Sequence, residues 1–419
     1  MIHRLMRVAA LLWVAMASLH AAEAPSSSPR GALAPVLQPF VDRQVIAGAV
    51  ALVANKDKML DVTTVGVSSL DAKTPMRADN LFWLASMTKT FTATALMILV
   101  DEGKVNVDDP VEKYLPEFKG QMVADGKDKP HSPTHPITIK ELLTHTSGLI
   151  GPHDPPIKPT HVLKEDADQY ARAPLKREPG TKFEYNNSGI NTVGRIIEVV
   201  SGMPYAEFVR QRLLGPLGMK DTGFWPDEEQ VSRLAKTSKS SDDKTAFTDL
   251  NFKIDQGQLA KAPAGPKVPV RLLTEQGSAF IMAYALGYAW PAGGLFSTAD
   301  DVAKFGQMLL NGGERGGRRY LSERTVKQMT SDQTGSIKVN PHEALGLGWF
   351  VKLDDVEGSS AGSYGHRGAR GPVYVIDPNN GLVMILLVES WDLKGDEQKK
   401  LYSAFFHAAV EKFGKSRRR

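Results

Sequence analysis

Between Ser86 and Gly103 apolar side chains recur on nearly every helical turn (Met87, Phe91, Ala95, Leu96, Leu99 and Val100) and almost no charge interrupts them. The pattern predicts a helix that is buried rather than amphipathic, ending at Gly103. Ahead of it, Val36–Gln44 reads as the end of a helix. Ala47–Ala54 and Met59–Val67 read as strands, and Asn55-Lys56-Asp57-Lys58 between them as a hairpin turn. Behind it, 105–136 is polar and proline-punctuated, and Thr138–Leu143 predicts a short helix. Phe183-Glu184-Tyr185 reads as extended. Ser188–Ser201 is a helix with Ile190, Val193, Ile197 and Val200 on one face, and a second helix from Pro204 stops at Gly215-Pro216. Ser297-Thr298-Ala299-Asp300 opens a further helix that Asn311-Gly312-Gly313 closes. The last third changes period. Leu347–Leu353, Gly362–Gly365, Val373–Asp377 and Leu382–Val388 read as strands, the last two joined by the turn Pro378-Asn379-Asn380-Gly381, and Leu401–Phe413 as a closing helix. Strands at both ends with helices between predict an α+β domain, one sheet built from both chain ends and carrying a helical insertion. The sheet region spans about 36–100 and 300–413, and the helical region about 105–295. A charged, Ser/Lys/Asp-rich stretch at 226–270 reads as an inserted or mobile loop.

Composition adds three constraints. Of 419 residues 42% are hydrophobic, ample for a large core. At the N-terminus Arg4 and Arg7 precede the apolar run Val8–Ala17, with small residues Ala21, Ala22 and Ala24 after it. Residues 1–22 therefore read as a signal peptide, cut before Pro25 and too short for a membrane span. The expected location is periplasmic or secreted. The chain has no cysteine, which removes thiol nucleophiles, thiolate metal sites and a lipid-modified cysteine from consideration. The formal charge of +4 comes from 51 basic and 47 acidic side chains. Setting aside the leader (Arg4, Arg7, Glu23) and the tail (Lys415, Arg417, Arg418, Arg419) leaves the body at 45 against 46. A basic tail on a neutral body predicts no nucleic-acid partner.

Three short elements carry candidate chemistry. In Ser86-Met87-Thr88-Lys89, serine and lysine share a helix face one turn apart. Burial disfavours the ammonium form, so the amine can accept the hydroxyl proton, and the N–H groups of the first turn favour negative charge beside them. Read alone, Ser86 serves equally as a helix N-cap, and a second Ser-x-x-Lys at Ser241–Lys244 lies in a polar loop. Tyr185-Asn186-Asn187 precedes a helix. A phenol beside an ammonium has its phenolate favoured and can act as a general base, and the Asn187 amide can hold a substrate carbonyl or the lysine. On a C-terminal strand, His366-Arg367-Gly368 is flanked by Gly365 and Ala369, small residues that let a ligand approach the backbone.

In this order the three elements resemble the serine β-lactamase/penicillin-binding protein superfamily. The branch they resemble most holds class C β-lactamases, D-Ala-D-Ala carboxypeptidases, D-aminopeptidases and β-lactamase-like esterases. Leu142–Leu149 (LLTHTSGL), Phe183–Asn187 with Gly189, Pro291–Thr298 (PAGGLFST) and Gly346–Phe350 (GLGWF) add to the likeness, which runs from about residue 33 to the closing helix. It implies the β-lactamase/transpeptidase-like fold in one domain, 33–419. It also implies Ser86 as the acylated nucleophile, Lys89 and Tyr185 sharing proton transfer, and substrate contacts from Asn187, His366 and Gly368. The N–H groups of Ser86 and Ala369 would form an oxyanion hole, and no cofactor or metal is implied. His-Arg-Gly replaces the Lys-Thr-Gly usual in β-lactamases, so the hydroxyl and lysine that help hold a β-lactam carboxylate are missing. Arg367 either binds a carboxylate itself or points away along the strand.

The expectation is an exported serine hydrolase acting on a small ester, amide or peptide, including peptidoglycan-derived ones. Esterase or peptidase comes first, and β-lactamase or D-Ala-D-Ala carboxypeptidase second. A penicillin- or peptidoglycan-binding protein without turnover is the non-enzymatic alternative. Gly358-Ser359-Ser360-Ala361-Gly362 matches an esterase nucleophile elbow but lacks the strand–turn–helix setting that elbow needs. His131 and His135 sit in a proline-flanked loop without a metal-binding pattern. His145 reads as a structural turn residue.

Overall fold

The computed structural model describes residues 29–415 except 125, 127–128, 152–153, 155–161, 241–246 and 250–287. Residues 1–22, read as a signal peptide, and Ser241–Lys244 thus lie outside the described residues. Gly48–Ala54 (β1) is buried along its whole length, as an apolar run with no alternation requires of a central strand. It pairs on one side with Met59–Ser69 (β2), which continues to the short edge strand Thr74–Pro75 (β3). The C-terminal strands are Glu343–Leu345 (β4), Phe350–Lys352 (β5), Tyr364–Arg367 (β6), Val373–Asp377 (β7) and Leu382–Leu387 (β8). Sheet order is β4-β5-β6-β7-β8-β1-β2-β3, all antiparallel. The β8–β1 seam, from Val50↔Leu387 to Ala54↔Val383, joins the two ends of the chain. Pro378–Gly381 closes the β7–β8 hairpin, with Gly381 at a φ of 68° that favours glycine.

Each sheet face buries a separate layer. On one, Ala34–Asp42 (α1) and Gly395–Phe413 (α7) pack on Ala49, Ala51, Val53, Met384 and Leu386. On the other lie Thr88–Asp101 (α2) and Ala299–Leu310 (α6), against Val50, Leu52, Ile385 and Leu387. Phe91 of α2 stacks on Phe305 of α6 with centroids 4.0 Å apart. The helical insertion, Ile139–Leu143 (α3), Leu163–Arg172 (α4) and Ser188–Ser201 (α5), covers the far side of α2, with α5 against α2, α3 and α4. Among the described residues no helix is long and apolar enough to cross a membrane.

Several elements differ from expectation. Gly215-Pro216 does not stop the helix begun at Pro204. Pro216 has no N–H for Arg212, one π turn (Arg210–Leu214) absorbs the misfit, and the helix runs to Leu217 before Gly218 at φ 71°. β4 has no period to announce it; Glu343 is anchored instead by ion pairs to Arg367 and Lys352. Phe183–Tyr185 joins no ladder, although Glu184 N–H donates to His145 O at 2.8 Å. Within 226–270 the described residues carry regular structure. Asp227 and Gln230 form a capping box on the turn Glu228–Ser232, and Ser238–Ser240 pairs with Phe247–Asp249. Buried Asp249 then pins that ribbon through Ser69 Oγ at 2.6 Å and Leu70 N–H at 2.9 Å.

Phe91→Ala should cost about 3–5 kcal/mol, since it leaves a cavity at the centre of the α2–α6 contact. Met59→Ala on the exposed end of β2 should change stability by less than about 0.5 kcal/mol. Urea denaturation of the two variants beside wild type checks both.

Candidate active site

The first element is built by a strained turn. Phe82–Trp83 pairs with Phe296–Ser297, a 3₁₀ turn at Ala85–Met87 follows, and α2 starts at Thr88. Ala85 has a φ of 47°, a left-handed conformation that costs a non-glycine residue on the order of 1–3 kcal/mol and recurs at functional positions. Ser86 therefore stands at the mouth of α2 rather than inside its regular turns. Lys89 is fully buried, and its Nζ donates to Ser86 Oγ at 3.1 Å and to Ala292 O at 2.7 Å. Burial holds the lysine pKa well below its ordinary value, and Lys89 forms no ion pair among the described residues. The amine is thus disposed to be neutral beside the serine hydroxyl. Pro291–Leu295 is docked onto α2 by Thr92 Oγ1 to Pro291 O at 2.7 Å, Trp83 Nε1 to Gly293 O at 2.6 Å and Leu295 N–H to Thr88 Oγ1 at 3.1 Å. These contacts fix the Ala292 carbonyl that the lysine needs.

The second element reaches the same place. The Tyr185 ring lies 4.9 Å from Lys89 Nζ. The ring is 40% exposed, but its hydroxyl end is turned in on Ser86. Burial pushes the phenol up to about 12, with the Ser86 hydroxyl and Arg367 pulling the other way. The shift runs opposite to the favoured phenolate expected from the sequence: burial of the hydroxyl end outweighs the pull of its neighbours and favours the phenol. Asn186 caps α5, accepting from Gly189 N–H at 3.0 Å, which leaves Asn187 free of that duty. Asn187 Oδ1 is buried and has no hydrogen-bond partner among the described residues.

His145, read as a turn residue, does make a turn, at φ 55°. It also borders the site. Its ring centroid is 4.5 Å from that of Tyr185, and its Nδ1 accepts from Asn186 N–H at 3.4 Å. Burial, Lys89 and His366 hold its pKa well below the usual histidine value. The Thr/Ser/Gly surroundings announced the turn but not the proximity.

The third element closes the site from the sheet. His366 is buried, 6.4 Å from Tyr185 between ring centroids, and its Nδ1–H donates to Arg367 O at 2.7 Å. Burial first, and then Lys89, push this imidazole down to about 3, so it is neutral with Nε2 as the acceptor. Arg367, one residue on, turns to the other face, where it meets Glu343 Oε2 at 2.6 Å, so it is not the carboxylate ligand of the site. Gly368 explains the motif's glycine: a Cβ there would stand 2.4 Å from Leu84 O and 3.2 Å from Ala85 Cβ. Without a side chain, β6 comes up against the Ser86 turn. Ala369 follows at the exposed start of the next turn, and neither its N–H nor that of Ser86 donates to a backbone carbonyl among the described residues.

Residues 33–409 match the profile of the family described as Beta-lactamase. The chain belongs to the Beta-lactamase family. Protein Rv1367c of Mycobacterium tuberculosis (strain ATCC 25618 / H37Rv) is 30% identical over 378 residues, 83% of this chain and 87% of that protein. Esterase EstB of Burkholderia gladioli is 29% identical over 366 residues, 82% of this chain and 86% of the esterase. Among solved structures, EstCE1, "a hydrolase with promiscuous acyltransferase activity", aligns with a TM-score of 0.70 at 24% identity, covering 89% of this chain and 97% of its own. That likeness shows the β-lactamase-like fold. The Beta-lactamase family fold thus accounts for the sheet built from both chain ends.

The other candidates lie elsewhere. Ser360 Oγ donates to Asp377 Oδ1 at 2.5 Å beneath the β7–β8 hairpin. His131 and His135 go to different carboxylates, Glu178 at 2.9 Å and Glu141 at 2.7 Å.

The depressed His366 value makes a stability prediction. The unfolded imidazole takes a proton near pH 6.5 and the folded one only near pH 3. Stability must therefore fall as pH drops through that window, because the unfolded state binds the extra proton. His366→Gln should flatten the decline between urea midpoints measured at pH 7 and pH 4.5. An unchanged slope would show that this imidazole ionises freely in the folded protein.

Proposed function

We propose that this Beta-lactamase family hydrolase is an exported serine enzyme working through an acyl-enzyme on Ser86, with esters, amides or peptides as substrates. The observation that carries the reading is the Ser86 Oγ–Lys89 Nζ contact of 3.1 Å at a fully buried lysine. In this reading Lys89 takes the hydroxyl proton as Ser86 Oγ attacks the carbonyl carbon. The oxyanion is received by the N–H groups of Ser86 and Ala369, each donor worth on the order of 3 kcal/mol. Tyr185, held as a phenol, suits proton donation to the departing alkoxide or amine, and takes back a proton as water attacks the acyl-enzyme. Asn187 Oδ1 and His366 Nε2 are acceptors for substrate N–H or O–H groups. Lys89 is then the base and Tyr185 the acid.

Ester or peptide hydrolysis ranks above β-lactam hydrolysis because the third motif brings neither a hydroxyl nor a free cation: Arg367 is engaged by Glu343. The name of EstB, as a relative, agrees with the ester reading.

Mature protein should hydrolyse a short-chain p-nitrophenyl ester faster than a chromogenic cephalosporin. Ser86→Ala should lower ester kcat/KM by about a thousandfold or more, and Lys89→Met and Tyr185→Phe by about 10²–10⁴. Ester turnover that survives Ser86→Ala would remove the mechanism, and faster cephalosporin turnover would put the β-lactamase reading first.

A further inference from the structure

His145 makes contacts with the Tyr185 segment that its turn does not require. It follows the C-cap Thr144 of α3, and its φ of 55° reverses the chain there. Glycine or asparagine takes such a position at the least cost, so the turn alone gives no reason for a buried imidazole. The carbonyl of His145 accepts from Glu184 N–H at 2.8 Å, and its Nδ1 accepts from Asn186 N–H at 3.4 Å, a long hydrogen bond. One residue, through backbone and ring, thus receives the N–H groups of both neighbours of Tyr185. These contacts take the place of a strand partner, since Phe183–Tyr185 joins no ladder. From outside, Arg177 and Lys176 hold Glu184 by ion pairs.

The ring bears on the phenol as well. Phe183 and Tyr185, two apart in an extended segment, point to one side. The imidazole lies against both, with its centroid 6.2 Å from Phe183, edge-on, and 4.5 Å from Tyr185, tilted by 45°. The rings of His366 and Phe350 stand farther from Tyr185, at 6.4 and 6.5 Å. Half-exposed as it is, the Tyr185 side chain is not locked by burial of its whole ring, and the closest aromatic packing against it among the described residues is that of His145. The donor at Asn186 also fixes the proton: Nδ1 must be bare, so a neutral ring carries its hydrogen on Nε2.

We propose that His145, neutral and protonated on Nε2, is a positioning residue that clamps the segment around Tyr185 and so aims the phenol at Ser86. It touches no reacting atom itself, and its effect on rate rests on the hydrolase reading above.

Two substitutions separate this role from that of a turn. Asparagine puts Oδ1 where Nδ1 stands and tolerates a positive φ, whereas glycine takes the φ and brings no acceptor. For p-nitrophenyl ester hydrolysis, His145→Gly should lower kcat about 10–100-fold with KM changed by less than about twofold, and His145→Asn should recover most of that loss. In a Tyr185→Phe background His145→Gly should lower kcat no further, because no hydroxyl is left to aim. If His145→Gly does not fold, His145→Gln, whose amide reaches one bond too far, replaces it in each comparison. Undiminished kcat in that variant, an asparagine variant equally slow, or the same loss in the Tyr185→Phe background overturns the proposal. Nitrogen NMR of histidine-labelled protein, with the His145 signals identified by their loss in His145→Asn, reads the tautomer without turnover. Nε2 should carry the proton, and a proton on Nδ1 overturns the clamp. If no ester is hydrolysed, the hydrolase reading fails, while the tautomer still decides the clamp.

Discussion

Keeping a lysine amine dry beside a serine hydroxyl is the constraint on which the rest of the structure depends. An ammonium ion taken out of water without a counter-charge costs several kcal/mol, and giving up the proton relieves that cost. Lys89 can be buried only because the helix bearing it is buried: every residue from Thr88 to Leu99 is buried in α2. The sheet, α6 and the helical insertion enclose that helix on all sides. Its low charge density is a condition for keeping the amine dry as well as a packing feature. The Ala292 carbonyl that the amine meets is an uncharged dipole, which orients the nitrogen without stabilising its charge as a carboxylate would.

Around that amine the polar groups are kept neutral by the same means. His145 and His366 are buried imidazoles with their protons placed by backbone contacts, and Tyr185 retains its phenolic hydrogen. In the proposed mechanism, such neutral donors and acceptors would pass a proton among serine, lysine and tyrosine as the carbonyl oxygen becomes an anion. The outer side of β6, by contrast, carries charged groups. There Arg367, Glu343 and Lys352 bind the short edge strand β4 to the motif strand. One residue of alternation, between His366 and Arg367, separates the neutral face from the charged one.

Close backbone approach is the second requirement. Gly368 lets β6 reach the Ser86 turn, and the left-handed Ala85 aims that turn at the strand. The β8–β1 seam holds the two halves of the site together, since Ser86 comes from the N-terminal side and β6 from the C-terminal side. Strand order therefore does chemical work: a slipped register at the seam would move His366 and the Ala369 N–H relative to Ser86.

Much of this was legible in the chain itself. Unbroken hydrophobicity marked α2 and the central strands, capping residues and glycines marked helix ends, and the order of the three motifs marked the family and singled out residues that the fold gathers around Ser86. Each is a signal carried by neighbours in sequence, where period and local side-chain chemistry act directly. The Ala292 carbonyl, the closeness of His145 to Tyr185, the engagement of Arg367 by Glu343 and the protonated state of Tyr185 were decided only in three dimensions. Each depends on groups brought together from distant parts of the chain or on exclusion of water, and neither leaves a periodic trace. Local sequence specified which groups the site contains; packing decided which way they face, what they touch and whether they carry charge.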